Sequence, residues 1–207
     1  MNDSRIRGVF FDLGNVLLRL NSGKFAEKMK SLTGLEMDAL RAVFADGLVL
    51  DYECGRLKDK EFLAGLSGRL GMTITRDDFT DLWTCMFCEI PLISDELLKD
   101  LAREHALWVI SNTNRMHFEF ILKHYEFLKH FQGWSLSYEV GAAKPDPAIY
   151  EHALSTTQIP ASEALFVDDQ LVNVESARKL GMDAIHFLNP AQLIQELQAR
   201  NLITNDE

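Results

Sequence analysis

Residues Gly8–Leu18 read GVFFDLGNVLL. Val9, Phe10 and Phe11 form a short apolar run rich in β-branched and aromatic residues, which is the pattern of a buried strand. The run stops on a carboxylate, Asp12, followed by Leu13, Gly14 and Asn15. Two readings of Asp12 stand open here. Asp, Gly and Asn favour turns, so Asp12 can simply begin one. In open α/β sheets, however, ligands sit beyond the carboxyl ends of the strands, which places Asp12 where chemistry is done.

Outward from this stretch the chain alternates. Ala106–Ile110, Ala164–Val167 and Ala184–Leu188 read as further buried strands, and Trp134, Leu136 and Tyr138 alternate as a short one. Helices are predicted between them, from Ser94 as N-cap, around Phe118–Tyr125, from Pro147, over Val172–Leu180 and from Pro190. Strands alternating with helices imply an α/β, doubly wound, mainly parallel Rossmann-like sheet.

One block departs from this pattern. Phe25, Met29 and Leu32 share a helical face, as do Met37, Leu40, Val43 and Phe44. DYECGRLKDKEF follows, with a turn at Gly55, and Phe62, Leu63, Leu66 and Leu70 mark a third helix. Thr75 with Asp78 makes a capping box. It opens a fourth helix with the stripe Phe79, Leu82, Trp83, Met86 and Phe87. Residues 22–91 therefore read as an all-helical subdomain inserted into an α/β core of residues 1–21 and 92–207.

The 207 residues are 47% hydrophobic with a net charge of -10. Such a chain can bury a core, and its acidity argues against nucleic acid or an anionic membrane as partner. Three cysteines give no disulfide framework. No apolar leader or membrane-length run is present, so a cytoplasmic protein is expected, as a monomer or small homo-oligomer.

Three strands end in a related way: Asp12, then Ser111, then the pair Asp168 and Asp169. Lys144 lies in the loop between the last two. If these ends meet at one edge, three carboxylates face one ammonium. A like-charge pair about 4 Å apart costs about 4 kcal/mol at an effective dielectric near 20. A divalent cation resolves the excess, and all-oxygen ligands select Mg²⁺ or Mn²⁺ over zinc. One carboxylate can then attack while Ser111 and Lys144 hold phosphoryl oxygens, a constellation suited to phosphoryl transfer through an aspartyl phosphate.

These stretches resemble the haloacid dehalogenase (HAD) superfamily of hydrolases over essentially the whole chain. FFDLGNVLL, VISNTN, GAAKPDPAIY and FVDDQLVNVESARKLGM occur in the family's order. The helical block resembles the cap that such members insert after the first motif. The wording FDLGNV and SNTNR is similar to the α-D-glucose-1-phosphate phosphatase branch. The resemblance implies a phosphatase of a small phosphorylated metabolite, with a sugar phosphate as one candidate. It implies Asp12 as nucleophile and Ser111, Asn112 and Lys144 on the phosphate. Asp12, Asp168, Asp169 and the Gly14 backbone carbonyl would hold Mg²⁺, and Asn173 would support them.

Gly14 departs from the family pattern, because most of its phosphatases carry a second aspartate there as general acid and base. The family's dehalogenases also lack it, but they usually lack the paired metal-binding acids too. Dehalogenation of a 2-haloacid is therefore the alternative, and a catalytically weak phospho-ligand binder is a third reading. In the cap, Tyr52, Glu53 and Arg56 are candidate substrate contacts. Arg115 is expected to be solvated. Cys85 and Cys88 read as packing residues of the fourth helix, and His117, His124 and His130 as surface residues.

Overall fold

The computed structural model describes residues 6–44 and 47–204. The stretch 1–5, expected to carry no apolar leader, and the side chain of Met37 lie outside the described residues. Five parallel strands form the main sheet: β1 (Gly8–Phe11), β4 (Ala106–Ser111), β5 (Gly133–Leu136), β6 (Ala164–Asp168) and β7 (Asp183–His186). Their order is β5-β4-β1-β6-β7, so β1 sits at the centre between β4 and β6. Val9, Phe10 and Phe11 are fully buried. Side chains alternate across the sheet with a period of two. Val9, Phe11, Val109 and Val167 build the core on one face. Phe10, Trp108, Ile110 and Phe166 build it on the other. Burial on both faces explains why these strands read as continuous apolar runs.

Helices α6 (Asp95–Glu104), α7 (Arg115–His124), α9 (Pro147–Thr157), α10 (Leu171–Lys179) and α11 (Pro190–Ala199) cover the sheet. Ser94 caps α6 by accepting from the Leu97 N–H, and Pro147 and Pro190 open α9 and α11. The strand expected to include Tyr138 ends earlier. After Leu136 the chain turns into a four-residue helix, α8 (Ser137–Val140). Ser137 is drawn inward because its hydroxyl donates to the Thr113 carbonyl and accepts from the Thr113 N–H.

Between Ser22 and Thr84 lie α1 (Ser22–Thr33), α2 (Met37–Phe44), α3 (Leu48–Glu53), α4 (Asp59–Leu70) and α5 (Arg76–Thr84). The helix α3, just before the Gly55 turn, has no counterpart in the sequence reading. Phe62, Phe79 and Trp83 form the aromatic centre of this block, with ring centroids 4.7 to 5.9 Å apart. Residues 22–91 are not all helical, however. The fourth helix stops at Thr84, and Phe87–Pro91 is a strand, β3, antiparallel to β2 (Leu18–Leu20). Cys85 caps the helix and Cys88 lies in the strand, so the two do not share a helix as their spacing predicts.

His117 is also corrected. It is buried rather than on the surface. Its ring lies 3.0 Å from the Trp83 carbonyl through Nε2 and 3.3 Å from the Asn114 amide through Nδ1. Burial drives its pKa down to about 3, so it is a neutral link between α7 and α5. Among the described residues no helix is long and apolar enough to cross a membrane.

Candidate active site

The register brings the strand ends together. Phe11 pairs with both Val109 and Val167, and the Asp12 N–H donates to the Val167 carbonyl at 2.9 Å. Asp12 and Asp168 therefore leave adjacent strands side by side, with Ser111 at the end of β4 on the other flank. Asp12, Ser111, Lys144 and Asp168 are all buried.

Lys144 arrives from the loop between α8 and α9. Asn112 grips that loop: its amide nitrogen donates to the Lys144 carbonyl at 2.9 Å, and its oxygen accepts the Lys144 N–H at 2.7 Å. Both ends of the Asn112 side-chain amide thus position the lysine. The Lys144 ammonium lies 2.8 Å from Asp12 Oδ1 and 2.6 Å from Asp168 Oδ2, above the Phe166 ring. Asp12 Oδ1 also accepts the Leu13 N–H at 2.7 Å.

The two acids after β6 differ in how they are occupied. Asp168 accepts from Lys144, from the Gln170 N–H, and from the Asn173 amide at 3.1 Å on each oxygen. Asp169 receives a long contact, 3.4 Å, from the Asn15 amide to Oδ2. Among the described residues its Oδ1 is buried without a hydrogen-bond partner. Asn15 itself stands in the left-handed region at φ 55°, and its oxygen accepts the Leu20 N–H. The sequence reading did not single out Asn15. The available signal was its residue type, since Asn tolerates that conformation far better than most residues.

Electrostatics follow from this crowding. Burial, with the neighbouring Asp168, raises the Asp12 carboxyl to about 6 despite Lys144. Burial and Asp168 raise Asp169 as well. Burial pulls Lys144 down, but Asp12 and Asp168 outweigh it and hold the ammonium above its ordinary value. One cation thus faces three carboxylates whose ligand atoms lie within 4.8 Å of one another. That oxygen-only set, with one orphaned buried oxygen aimed at no donor, fits a hard divalent cation.

The candidate substrate contacts of the helical block are Tyr52, Glu53 and Arg56. Tyr52 is buried, stacks on Phe62 and donates its hydroxyl to Asp59 at 2.9 Å. Arg56 is exposed and paired with Asp51 at 2.7 Å. Glu53 ends α3 with its carboxyl raised by burial to about 7. Gly55, next in this turn, approaches the core so closely that a Cβ there would lie 2.2 Å from the Tyr138 carbonyl oxygen.

A parallel sheet of this order, with an aspartate at the end of the central strand and paired acids beyond its neighbour, defines a class of hydrolase. The chain belongs to the haloacid dehalogenase-like hydrolases, whose family model matches residues 6–181. It is 26% identical over 199 residues to the D-ribitol-5-phosphate phosphatase of Bacteroides thetaiotaomicron, covering 93% of this chain and 97% of that one. Its fold is similar to that of a HAD family enzyme from the same organism, with a TM-score of 0.83, 25% identity, and coverage of 92% and 98%. A wild-type structure of that enzyme in complex with magnesium and inorganic phosphate aligns with a TM-score of 0.80 and 27% identity, covering 89% and 95%.

Proposed function

We propose that the protein is a Mg²⁺-dependent phosphatase acting on a small phosphorylated metabolite, with sugar and polyol phosphates the first class to test. The observation that carries this is the set Asp12, Asp168 and Asp169 around the single ammonium of Lys144, with Asp169 Oδ1 left free. The relative named as a ribitol-phosphate phosphatase supports it.

In this proposal Asp12 is the nucleophile. Its carboxylate oxygen bonds to phosphorus as the ester P–O bond breaks, and water then hydrolyses the aspartyl phosphate. Lys144 keeps Asp12 ionised and meets the phosphoryl oxygens with Ser111. Asn112 and Asn173 fix Lys144 and Asp168. Asp12, Asp168, Asp169 and the Gly14 carbonyl hold Mg²⁺. When bound, Mg²⁺ supplies positive charge that offsets the carboxylates and the phosphoryl oxygens. Residues 22–91 serve as a cap that shields the site from water and selects substrate. Paired acids favour this over dehalogenation, because displacing halide from carbon needs no cation.

The test is phosphate release from a panel of phosphorylated metabolites, with Mg²⁺ and with EDTA. Activity is expected only with Mg²⁺ or Mn²⁺, and Asp12→Asn is expected to abolish it while the fold survives. Full activity in EDTA overturns the proposal, as does substantial activity in the Asp12 variant. Metal-free chloride release from 2-chloropropionate establishes the dehalogenase instead.

A further inference from the structure

Arg115 opens α7 four residues after Ser111. Its guanidinium stands 5.7 Å from the centroid of the Tyr138 ring. The start of α4, after the Gly55 turn, supplies Lys58 at its N-cap and Lys60 in its first turn. These three cations share one cleft of about 400 Å³ with Tyr52, Gly55 and Tyr138.

The charge balance of this cleft is unusual for a chain of net charge -10. Among the described residues, no carboxylate pairs with Arg115, Lys58 or Lys60. Glu119, one turn along α7, makes no ion pair with them and adds to the charges that raise the Tyr52 and Tyr138 hydroxyls. Glu139 also engages Tyr138. Asp59 lines the cleft too, but its carboxylate accepts from Tyr52 and pairs with Arg76 at 3.3 Å. Three cations thus line the cleft without an ion-pair partner among the described residues.

The cleft adjoins the phosphate site through the backbone. Arg115 continues the segment that carries Ser111 and Asn112, and Asn112 grips the Lys144 backbone. Tyr138 follows Ser137, whose hydroxyl bonds the Thr113 backbone. The core wall of the cleft is therefore built on the same loops as the site. Its opposite wall belongs to the helical block, at the point where Gly55 meets Tyr138.

We infer that this cleft receives a second anionic group of the substrate, a carboxylate or a second phosphate, with Arg115 as its main donor. The planar guanidinium offers a two-pronged fork to either group, and the Tyr138 ring beneath it limits its orientations. Lys58 and Lys60 add point charges. A volume of about 400 Å³ is ample for the distal half of a small metabolite. The inference rests on the phosphatase proposal and narrows its substrate class.

The test compares three-carbon esters that differ only at the far end: glycerol 3-phosphate, 3-phosphoglycerate and glycerol 1,3-bisphosphate. Binding to the Asp12→Asn protein with Mg²⁺ is measured by titration calorimetry, with inorganic phosphate as a further probe. At least one anionic-ended ester is expected to bind about tenfold more tightly than glycerol 3-phosphate. Whether it is 3-phosphoglycerate or the bisphosphate tells a carboxylate from a phosphate. Adding Arg115→Ala is expected to erase that ratio, and Arg115→Lys to keep part of it. The ratio is unaffected by a general loss of folded protein. Equal affinity for the three esters overturns the inference and leaves the phosphatase proposal standing. So does a preference that survives Arg115→Ala. Failure of inorganic phosphate and every ester to bind overturns both.

Discussion

The ammonium of Lys144 lies 2.8 Å from Asp12 Oδ1, with 1% and 9% of the two side chains exposed. At such burial the pair is a structural obligation. Removing the cation leaves Asp12 and Asp168 facing each other with no counter-charge. Breaking a buried pair in this way typically costs about 3–5 kcal/mol. Lys144→Met is therefore expected to lower stability by several kcal/mol in EDTA. Added Mg²⁺ is expected to restore more stability to the variant than it adds to the wild type, because it supplies the missing charge. Thermal melts with and without Mg²⁺ check this. An equal Mg²⁺ effect on both proteins would mean that the lysine is not the compensating charge.

Glu53 makes a prediction about pH. Burial raises its carboxyl from 4.5 to about 7. The unfolded chain releases this proton at lower pH than the folded one, so stability from this group is full below about 4.5 and declines as pH rises towards 7. Glu53→Gln removes the penalty. Discounted for partial exposure, the variant is expected to be about 1–2 kcal/mol more stable than wild type at pH 8. At pH 4.5 the two are expected to match. Denaturant melts at both values decide it, and a gain independent of pH would rule Glu53 out as the titrating group.

The strand ends were legible because a buried parallel strand and a terminal carboxylate are both local signals. Val9–Phe11 followed by Asp12, and Ala164–Val167 followed by Asp168, needed no knowledge of the partner strands. What escaped the sequence depends on contacts between distant segments. Phe87 continues the apolar spacing of α5, yet it lies in a strand because Leu18–Leu20 offers an antiparallel partner. His117 carries no sign of burial in its own helix, and the Trp83 carbonyl and the Trp83 and Phe87 rings across the block account for it. That the Asn112 side chain grips the Lys144 backbone, 32 residues on, carries no local signal either. The unequal roles of Asp168 and Asp169 are likewise set by who reaches them, Lys144 and Asn173 in one case and Asn15 in the other.

Gly55 tests the proposed cap. Its φ of +68° is a conformation that side chains rarely adopt, and any Cβ would collide with the Tyr138 carbonyl. Gly55→Ala must therefore push the turn away from the core. If the 22–91 block shields the site and selects substrate, this variant is expected to lose kcat/KM on a metabolite phosphate at least tenfold more than on p-nitrophenyl phosphate. Steady-state kinetics on both substrates check it. Equal losses would show that contact between this turn and α8 does not serve selection.

The last prediction concerns Gly14, where an acid and base would be worth about 10²–10⁴ in rate. The backbone there is not left-handed, and an added Cβ would meet only the Leu20 Cδ1 end at 3.0 Å. That flexible tip can give by a few tenths of an ångström, so the position accommodates a Cβ. On the proposed mechanism, two steps then lack help with glycine: expulsion of a basic leaving oxygen and activation of the water that attacks the aspartyl phosphate. A nitrophenolate leaves unaided, so its first step stays fast and its second limits turnover. Rapid-mixing kinetics are expected to show a burst of nitrophenol, whereas sugar phosphates turn over slowly with no burst. Gly14→Asp is expected to raise the sugar phosphate rate at least tenfold and to shrink the burst. Among the described residues of the 22–91 block, Glu53 is the candidate donor near neutral pH, since the Tyr52 hydroxyl is already committed to Asp59 and burial raises it well above its ordinary value. Equal rates on both substrate types without a burst would mean that another group supplies the proton. A loss in Glu53→Gln confined to sugar phosphates and to pH below about 7 would then identify that group.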